Sequence, residues 1–287
     1  ALHTSMLLFG ELSEKLVASA RSIVARIPPG AREVGKGRVL DAAAFAERAR
    51  TEIESYRSQL PELRATVEVR GDVEGLMVTR NTLLVGSGLK VPSSRVEALV
   101  QHEVGTHLLT WLNGSVQPLQ LLRCGTAGYD ELQEGLAVLA EHLVGGLSRP
   151  RLRLLAGRVL AADARIRGAD FLENYRLLHE THGFAARTAF MTVMRVHRGG
   201  GLAKDAIYLR GLTQALEYVG AGGKVTPLAL GKIAPEHIPL VHELQARGIL
   251  RPPPLLPHYL RRPEAAERIA RLKRGMTVLD LVDEAPF

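Results

Sequence analysis

One helical segment organises the chain, and it reads Pro92-Ser-Ser-Arg-Val-Glu-Ala-Leu-Val-Gln-His-Glu-Val-Gly-Thr-His-Leu-Leu-Thr-Trp-Leu-Asn113. Ser93 or Ser94 is suited to the N-cap position, and Glu97 stands where the acid of a capping box belongs. We therefore predict a helix that is buried along one face, because apolar residues recur at helical spacing. These residues are Val96, Leu99, Val100, Val104, Leu108 and Trp111.

The helix carries His102-Glu103-x-x-x-His107, one residue longer than the H-E-x-x-H motif of zinc hydrolases. Histidines four residues apart are separated by about 40° around a regular helix, whereas five residues give about 140°. A π-bulge would bring both imidazoles onto one face, and Gly105 lies where such an irregularity costs least. We predict this bulge, with His102 and His107 as zinc ligands and Glu103 acting on the water. The alternative is a regular helix with two unrelated histidines.

A second stretch, Tyr129 to Glu141, is also helical by composition and carries Glu134 in its first turns. A glutamate on a following helix is a common third protein ligand of zinc, leaving the fourth position for water. Gly135 directly follows and would let another backbone approach closely. The alternative for Glu134 is a solvated acid near a helix N-terminus. Glu141, on the same helix, is either a partner of a ligand histidine or another solvated acid.

The two motifs together, His-Glu-Val-Gly-Thr-His and Gln-Glu-Gly-Leu-Ala, resemble those of the QEGLA-motif family. Bacterial members of this family are labelled flavohemoglobin expression-modulating proteins, and its animal relatives are microtubule-associated tyrosine carboxypeptidases. The resemblance, which extends from about residue 60 to about 260, implies a zinc peptidase. It implies His102, His107 and Glu134 as metal ligands and Glu103 as the catalytic base. It also implies carboxypeptidase action, as in the removal of the C-terminal tyrosine of α-tubulin.

A third stretch combines cations with a glycine turn: Arg195, Arg198 and Lys204 flank residues 199–201, all glycine, where one predicted helix ends and another begins. Such a turn exposes backbone N–H groups to an anion. We predict that at least one of the three cations binds the terminal carboxylate of a substrate. Tyr208 lies one helical turn after Lys204 and would donate to the developing oxyanion. The family carries a similar segment, and the alternative is a corner between helices with surface arginines.

The remaining pattern predicts an α+β fold that is mostly helical, with a zincin-like metal helix and a small antiparallel sheet. We expect N-terminal helices in residues 1–60 and a zincin-like catalytic domain in 61–250. A Pro-rich segment and a C-terminal helical extension in 251–287 should pack on the same domain. The predicted strands are 65–70, 76–80 and 82–85. The other predicted helices are 8–27, 41–59, 150–166, 169–181, 184–197, 204–219, 235–247 and 263–274.

Composition narrows the possible partners and compartments of this chain. Its 287 residues are 46% hydrophobic and carry a formal net charge of +7. The basic residues are spread along the chain without a nucleic-acid-binding motif, so we expect no nucleic-acid partner. We also expect no membrane segment and no signal peptide. The single cysteine, Cys124, fits a cytoplasmic location.

These observations predict a zinc metallopeptidase, a carboxypeptidase by resemblance, that acts on the C-terminal tail of a peptide or protein. The positive charge makes an acidic tail suitable. Two alternatives stay open at this stage: a metal-binding regulatory protein without turnover, and a zinc hydrolase of a non-peptide amide. Retention of Glu103 argues against the first, because a structural metal site needs no base.

Overall fold

The computed structural model of the chain describes residues 2–30, 38–198 and 203–286, and it has the predicted, mostly helical α+β fold. The strands are β1 (Val39–Asp41), β2 (Thr66–Arg70), β3 (Leu76–Thr79), β4 (Thr82–Gly86) and β5 (Lys90–Pro92). The first seven α-helices are α1 (Leu2–Phe9), α2 (Glu14–Arg26), α3 (Ala42–Arg57), α4 (Ser93–His102), α5 (Leu109–Ser115), α6 (Leu121–Cys124) and α7 (Tyr129–Leu143). The later ones are α8 (Arg149–Ile166), α9 (Phe171–Arg176), α10 (Ala186–His197), α11 (Ile207–Gly220), α12 (Ile238–Ala246), α13 (Pro263–Leu272) and α14 (Val278–Glu284).

Short helical turns of other types extend several of these helices. Two are π-helical, Glu103–Leu108 between α4 and α5 and Leu177–Thr181 after α9. The 3₁₀ turns are Lys204–Ala206, Thr226–Ala229, Pro235–His237 and His258–Arg261.

The N-terminal helical prediction needs one correction, because residues 8–27 form parts of two helices. Gly10 has a φ of 72°, a left-handed conformation that ends α1. The Ser13 hydroxyl then accepts a hydrogen bond from the Leu16 amide at 3.2 Å and begins α2. The second predicted helix is confirmed as α3, with Asp41 as its N-cap.

The sheet is mixed rather than purely antiparallel, which corrects the prediction. Strand β3 pairs with β4 antiparallel, whereas β2 pairs with the other side of β4 in parallel. The chain reverses direction twice between β2 and β4, so the two strands point the same way. The order β2-β4-β3 leaves β3 at an edge. Strands β1 and β5, which were not predicted, form a separate antiparallel pair.

Strand β5 also explains why the predicted serine N-cap is wrong. It runs directly into α4, and the Ser93 amide donates to the carbonyl of Arg38 at 2.9 Å. That amide therefore needs no serine side chain, and Pro92 occupies the N-cap position. Glu97 is not a capping acid; it accepts hydrogen bonds from Arg48 at 2.7 Å and Arg262 at 2.6 Å.

Two clusters of buried apolar residues form the core of the chain. One combines α3, the sheet and the helix that carries the histidines, with Phe45, Val100 and Leu108 among its members. The other is built around α2, α7, α8 and α11 and includes Leu136 and Leu139. Because α4 packs against α7, the predicted metal ligands lie where the two clusters meet.

The first cluster joins parts of the chain that are far apart in sequence. Phe45 and Leu255 are both fully buried in it. Residues before position 60 and after position 250 thus share one core with the middle of the chain; the domain boundaries at these positions stay a prediction. None of the described helices has the length and apolar character that crossing a bilayer requires.

Candidate metal centre

The predicted π-bulge is confirmed between the two histidines, where Glu103–Leu108 is a π-helical turn. In this wider turn the Thr106 hydroxyl donates a hydrogen bond to the carbonyl of Gln101 at 3.0 Å. A Cβ at Gly105 would lie 2.3 Å from the Gln101 amide oxygen. The absence of a side chain at Gly105 thus leaves room for the Gln101 amide at the centre of the bulge.

The bulge brings His102 and His107 to the same side of the helix, facing Glu134 on α7. The Glu134 Oε2 atom lies 3.6 Å from His107 Nε2 and 3.9 Å from His102 Nε2. One ligand atom from each of the three residues lies within 4.8 Å of the other two. Two ligands bound at about 2.1 Å to one ion are at most about 4.2 Å apart, and the distances of 3.6 and 3.9 Å from Glu134 to the two histidines are below this limit. We call His102, His107 and Glu134 the ligand group. Two imidazoles and a carboxylate also match the ligand set of catalytic zinc sites.

Glu141 orients one of the histidines, and the structure thereby decides between the two alternatives for this acid. It is completely buried and accepts a hydrogen bond from His102 Nδ1 at 2.9 Å. Arg95 and Arg151 contact the same carboxylate at 2.6 and 3.1 Å. A proton on Nδ1 leaves the Nε2 lone pair on the side of Glu134, the arrangement found in carboxylate–histidine metal sites.

The ionisable groups of the ligand group shift one another's pKa values. Burial raises the pKa of Glu134, but the adjacent His107 and His102 outweigh this effect and lower it to about 2. Burial lowers the pKa of His107, but Glu134 and Glu103 outweigh burial and the pKa is raised. Burial likewise raises the pKa of Glu141, yet Arg151 and His102 hold it well below its usual range. The two carboxylates are therefore ionised at neutral pH.

Helices α7 and α11 approach each other unusually closely beside the ligand group. A Cβ at Gly135 would lie 2.1 Å from the carbonyl carbon of Gly211, and one at Gly211 would lie 1.9 Å from the Glu131 carbonyl oxygen. The predicted reason for Gly135, a close backbone approach, is thus confirmed. The contact fixes Glu134 on one helix relative to Tyr208 on the other.

The ligand group opens into a cleft of about 440 Å³. The lining includes Glu103 and the four residues predicted from the third stretch, Arg195, Arg198, Lys204 and Tyr208. The glycine turn between Arg198 and Lys204 lies outside the described residues. The other lining residues are Leu76, Met77, Val78, His102, His107, Tyr129, Asp130, Gln133, Glu134, Asp205 and Lys232.

Glu103, the predicted base, lies in the wall of the cleft beside the ligand group. Its side chain is largely buried yet reaches the cleft wall. Its carboxylate has no ion pair with any residue in the described ranges 2–30, 38–198 and 203–286. A buried carboxylate without a cation is costly, and a nearby metal ion would compensate it.

The predicted cations and Tyr208 differ in how firmly they are held. Arg195 forms two hydrogen bonds with buried Asp205, at 2.7 and 3.2 Å, which offset its charge. Arg198 and Lys204 are exposed, and Lys204 Nζ lies 5.4 Å from the centre of the Phe9 ring. Burial raises the pKa of Tyr208 to about 12, so its hydroxyl stays protonated and can donate a hydrogen bond.

Several cleft residues were missed by the sequence analysis. The edge strand β3 contributes Leu76, Met77 and Val78, and the start of α7 contributes Tyr129 and Asp130. The sequence did offer a reason to include Tyr129 and Asp130 in the site, because both precede Glu134 on the same predicted helix.

Lys232 was also missed, because it lies in a loop without a recognisable motif. The backbone of this loop is tied to the chain beside α6: the Lys232 amide donates to the Leu122 carbonyl at 2.8 Å, and the Thr126 amide donates to the Lys232 carbonyl at 3.1 Å. No local sequence pattern predicts this contact.

Comparison with known families gives one clear result. The family model described as microtubule-associated tyrosine carboxypeptidase matches residues 1–277, which is nearly the entire chain. No curated protein matches the chain. The matched range extends well beyond both metal motifs and includes the loop that carries Lys232.

Proposed function

The chain belongs to the microtubule-associated tyrosine carboxypeptidase family, and on this basis we propose that it is a zinc-dependent carboxypeptidase. The family implies carboxypeptidase-like activity; the metal, the mechanism and the substrate are our proposal. The observation that carries it is the convergence of three possible ligand atoms, from His102, His107 and Glu134, in a cleft whose wall includes Glu103.

Three side chains would hold the zinc ion: His102, His107 and Glu134. When bound, zinc supplies Lewis-acid chemistry, which acidifies a water molecule and polarises a carbonyl group. Glu141 keeps the His102 ring in the orientation and tautomer that binding requires. The buried Arg95 and Arg151 neutralise Glu141, so this acid does not have to leave the protein interior.

Glu103 is the proposed general base. It takes a proton from the attacking water and delivers it to the leaving amine, which completes hydrolysis of the peptide bond. Tyr208 is the proposed donor to the oxygen that becomes negative in the transition state, since its raised pKa keeps the donor proton in place. Asp205 restrains Arg195 beside this tyrosine.

The cations of the cleft favour an anionic substrate. Arg195, Arg198 and Lys204 are proposed to bind the carboxylates of a peptide or protein tail, and an acidic tail suits the net charge of +7. The edge strand β3 is placed to pair with an extended peptide backbone. The single cysteine fits work in the reducing cytoplasm.

The alternative of a regulatory metal protein without turnover is less well supported. A structural site is normally closed by four protein ligands, whereas the three residues that could hold a metal here lie in an open cleft. Glu103 would also have no task in a structural site.

The experiment that tests this function combines metal analysis with peptide digestion. Purified protein should contain about one zinc per chain, and His102→Ala, His107→Ala or Glu134→Ala should each lose most of it. His242→Ala, a change at an exposed histidine outside the cleft, is the control and should keep its zinc. Mass spectrometry of a peptide library should show loss of single C-terminal residues with wild-type protein only in the presence of metal. Full zinc content in all three ligand variants, or no cleavage of any peptide, would contradict the proposal.

A further inference from the structure

Lys232 is the cation of the cleft whose surroundings most resemble a prepared anion site. Its side chain is half-buried and lines the cleft. Its Nζ atom forms no ion pair within the described residues, although the neighbouring α7 carries Asp130 and Glu134. Burial lowers the pKa of this lysine, while Asp130, Cys124 and Glu134 act to raise it. A partly desolvated ammonium group without a counter-ion gains more from a bound anion than an exposed one does.

The base of Lys232 is held rigidly, so little conformational freedom is lost when it binds a ligand. Both its backbone amide and its carbonyl are hydrogen-bonded to the chain near Leu122 and Thr126. The preceding Gly231 packs so closely that a Cβ there would lie 2.7 Å from the Leu122 carbonyl oxygen. A rigid backbone with a free side-chain end is a favourable arrangement for a binding residue.

An aromatic wall accompanies the lysine. Lys232 Nζ lies 5.4 Å from the centre of the Tyr129 ring. Gly125 supports this ring from behind: its φ is 110°, and a Cβ there would lie 2.3 Å from the ring. Cation and ring together match a residue that has a carboxylate and an apolar or aromatic side chain.

The cations predicted from sequence are less suited to the same task. Arg195 is already engaged by Asp205 with two hydrogen bonds. Arg198 and Lys204 are exposed, so water competes with any anion they bind. Lys232 lines the same cleft as His107 and Glu134, so it can hold the end of a substrate beside these residues.

We propose that Lys232 binds the terminal carboxylate of the substrate and that the Tyr129 ring contacts the side chain of the substrate's last residue. Arg198 and Lys204 are then left to bind other carboxylates of an acidic tail. This assignment rests on the carboxypeptidase function proposed above, and it replaces the sequence-based choice of the residue that selects a free C-terminus.

The test compares matched peptides that end in a free carboxylate or in an amide. The variants are Lys232→Met, Lys232→Arg and, as a control, Lys224→Met, which removes an exposed lysine outside the cleft. Wild type and Lys224→Met should prefer the free acid in kcat/KM. Lys232→Met should reduce this preference about tenfold to a hundredfold, as expected for loss of a hydrogen bond between charged groups. Lys232→Arg should keep most of the preference.

A binding measurement separates failure of this inference from failure of the proposed function. Calorimetry with the zinc-loaded Glu103→Gln variant should show tighter binding of the acid than of the amide, and adding Lys232→Met should remove the difference. An unchanged acid preference in Lys232→Met, in either cleavage or binding, overturns the role of Lys232. The role of Lys232 is also overturned if Arg198→Met or Lys204→Met abolishes the preference for the free acid while Lys232→Met does not. If wild type cleaves no peptide, the carboxypeptidase function fails and the binding measurement alone decides on Lys232.

Discussion

Replacing Gly135 with alanine should disturb the site through the crossing of α7 and α11. The new Cβ would lie 2.1 Å from the carbonyl carbon and 2.2 Å from the carbonyl oxygen of Gly211. Ordinary contact begins near 3.4 Å, so the helices must move apart by about 1.3 Å. Overpacking of this kind costs about 1–3 kcal/mol. The higher helix propensity of alanine offsets about 1 kcal/mol of that cost.

The consequence for function should exceed the consequence for stability. Glu134 directly precedes Gly135, and Tyr208 lies on the facing helix one turn before Gly211. A displacement of about 1 Å between groups that act together costs on the order of a hundredfold in rate. We therefore expect Gly135→Ala to remain folded, to bind zinc more weakly and to lose about two orders of magnitude in kcat/KM.

Urea unfolding, zinc titration and peptide hydrolysis measure these three effects. Gly88→Ala is a suitable control, because a Cβ at Gly88 meets no atom within 4 Å. It should leave zinc binding and kcat/KM unchanged. If Gly135→Ala is more stable than wild type by the full helix-propensity gain, with zinc binding and activity intact, the close helix crossing does not position the site.

Two further substitutions test the ion pairs on either side of the metal helix. Glu141→Gln removes the charged acceptor of the His102 hydrogen bond and should weaken zinc binding about tenfold to a hundredfold, as measured by competition with a chelator. An unchanged zinc affinity would show that Glu141 does not orient His102. Burial raises the pKa of Glu97, but Arg262 and Arg48 outweigh burial and lower it. The charged carboxylate therefore stabilises the fold above its unfolded-state pKa, and this stabilisation is lost as the pH falls through the folded-state pKa. Glu97→Gln should therefore reduce the free energy of unfolding at neutral pH but not in strong acid, as measured by urea unfolding at several pH values. An equal loss of stability at neutral and at acid pH would show that the ion pairs of Glu97 are not its cause.

The parts of the site that could be predicted from sequence are those fixed by covalent spacing. The five-residue step from His102 to His107 is incompatible with one metal on a regular helix, so it required the π-turn that the structure contains. Glu134 was assigned from its motif, and the reason for Gly135 followed from its lack of a side chain. In each case a short segment contained the whole argument.

The parts that could not be predicted depend on contacts between distant segments. Whether Glu141 is solvated or buried is decided by Arg95 and Arg151, which belong to other helices. Strand β1 is three residues long and exists because it pairs with β5, far along the chain. Lys232 reaches the cleft through a loop that packs on Leu122. Local propensity carries no information about such contacts.

The central claim is that Glu103 is the base of a metal-dependent carboxypeptidase, and one comparison tests it most directly. Wild type and Glu103→Gln are loaded with zinc, their metal content is measured, and release of the C-terminal residue from one peptide is followed by mass spectrometry. We predict equal zinc content and a rate that is lower by about 10²–10⁴-fold in the variant, the usual contribution of a general base. Release at the wild-type rate by Glu103→Gln would contradict the mechanism.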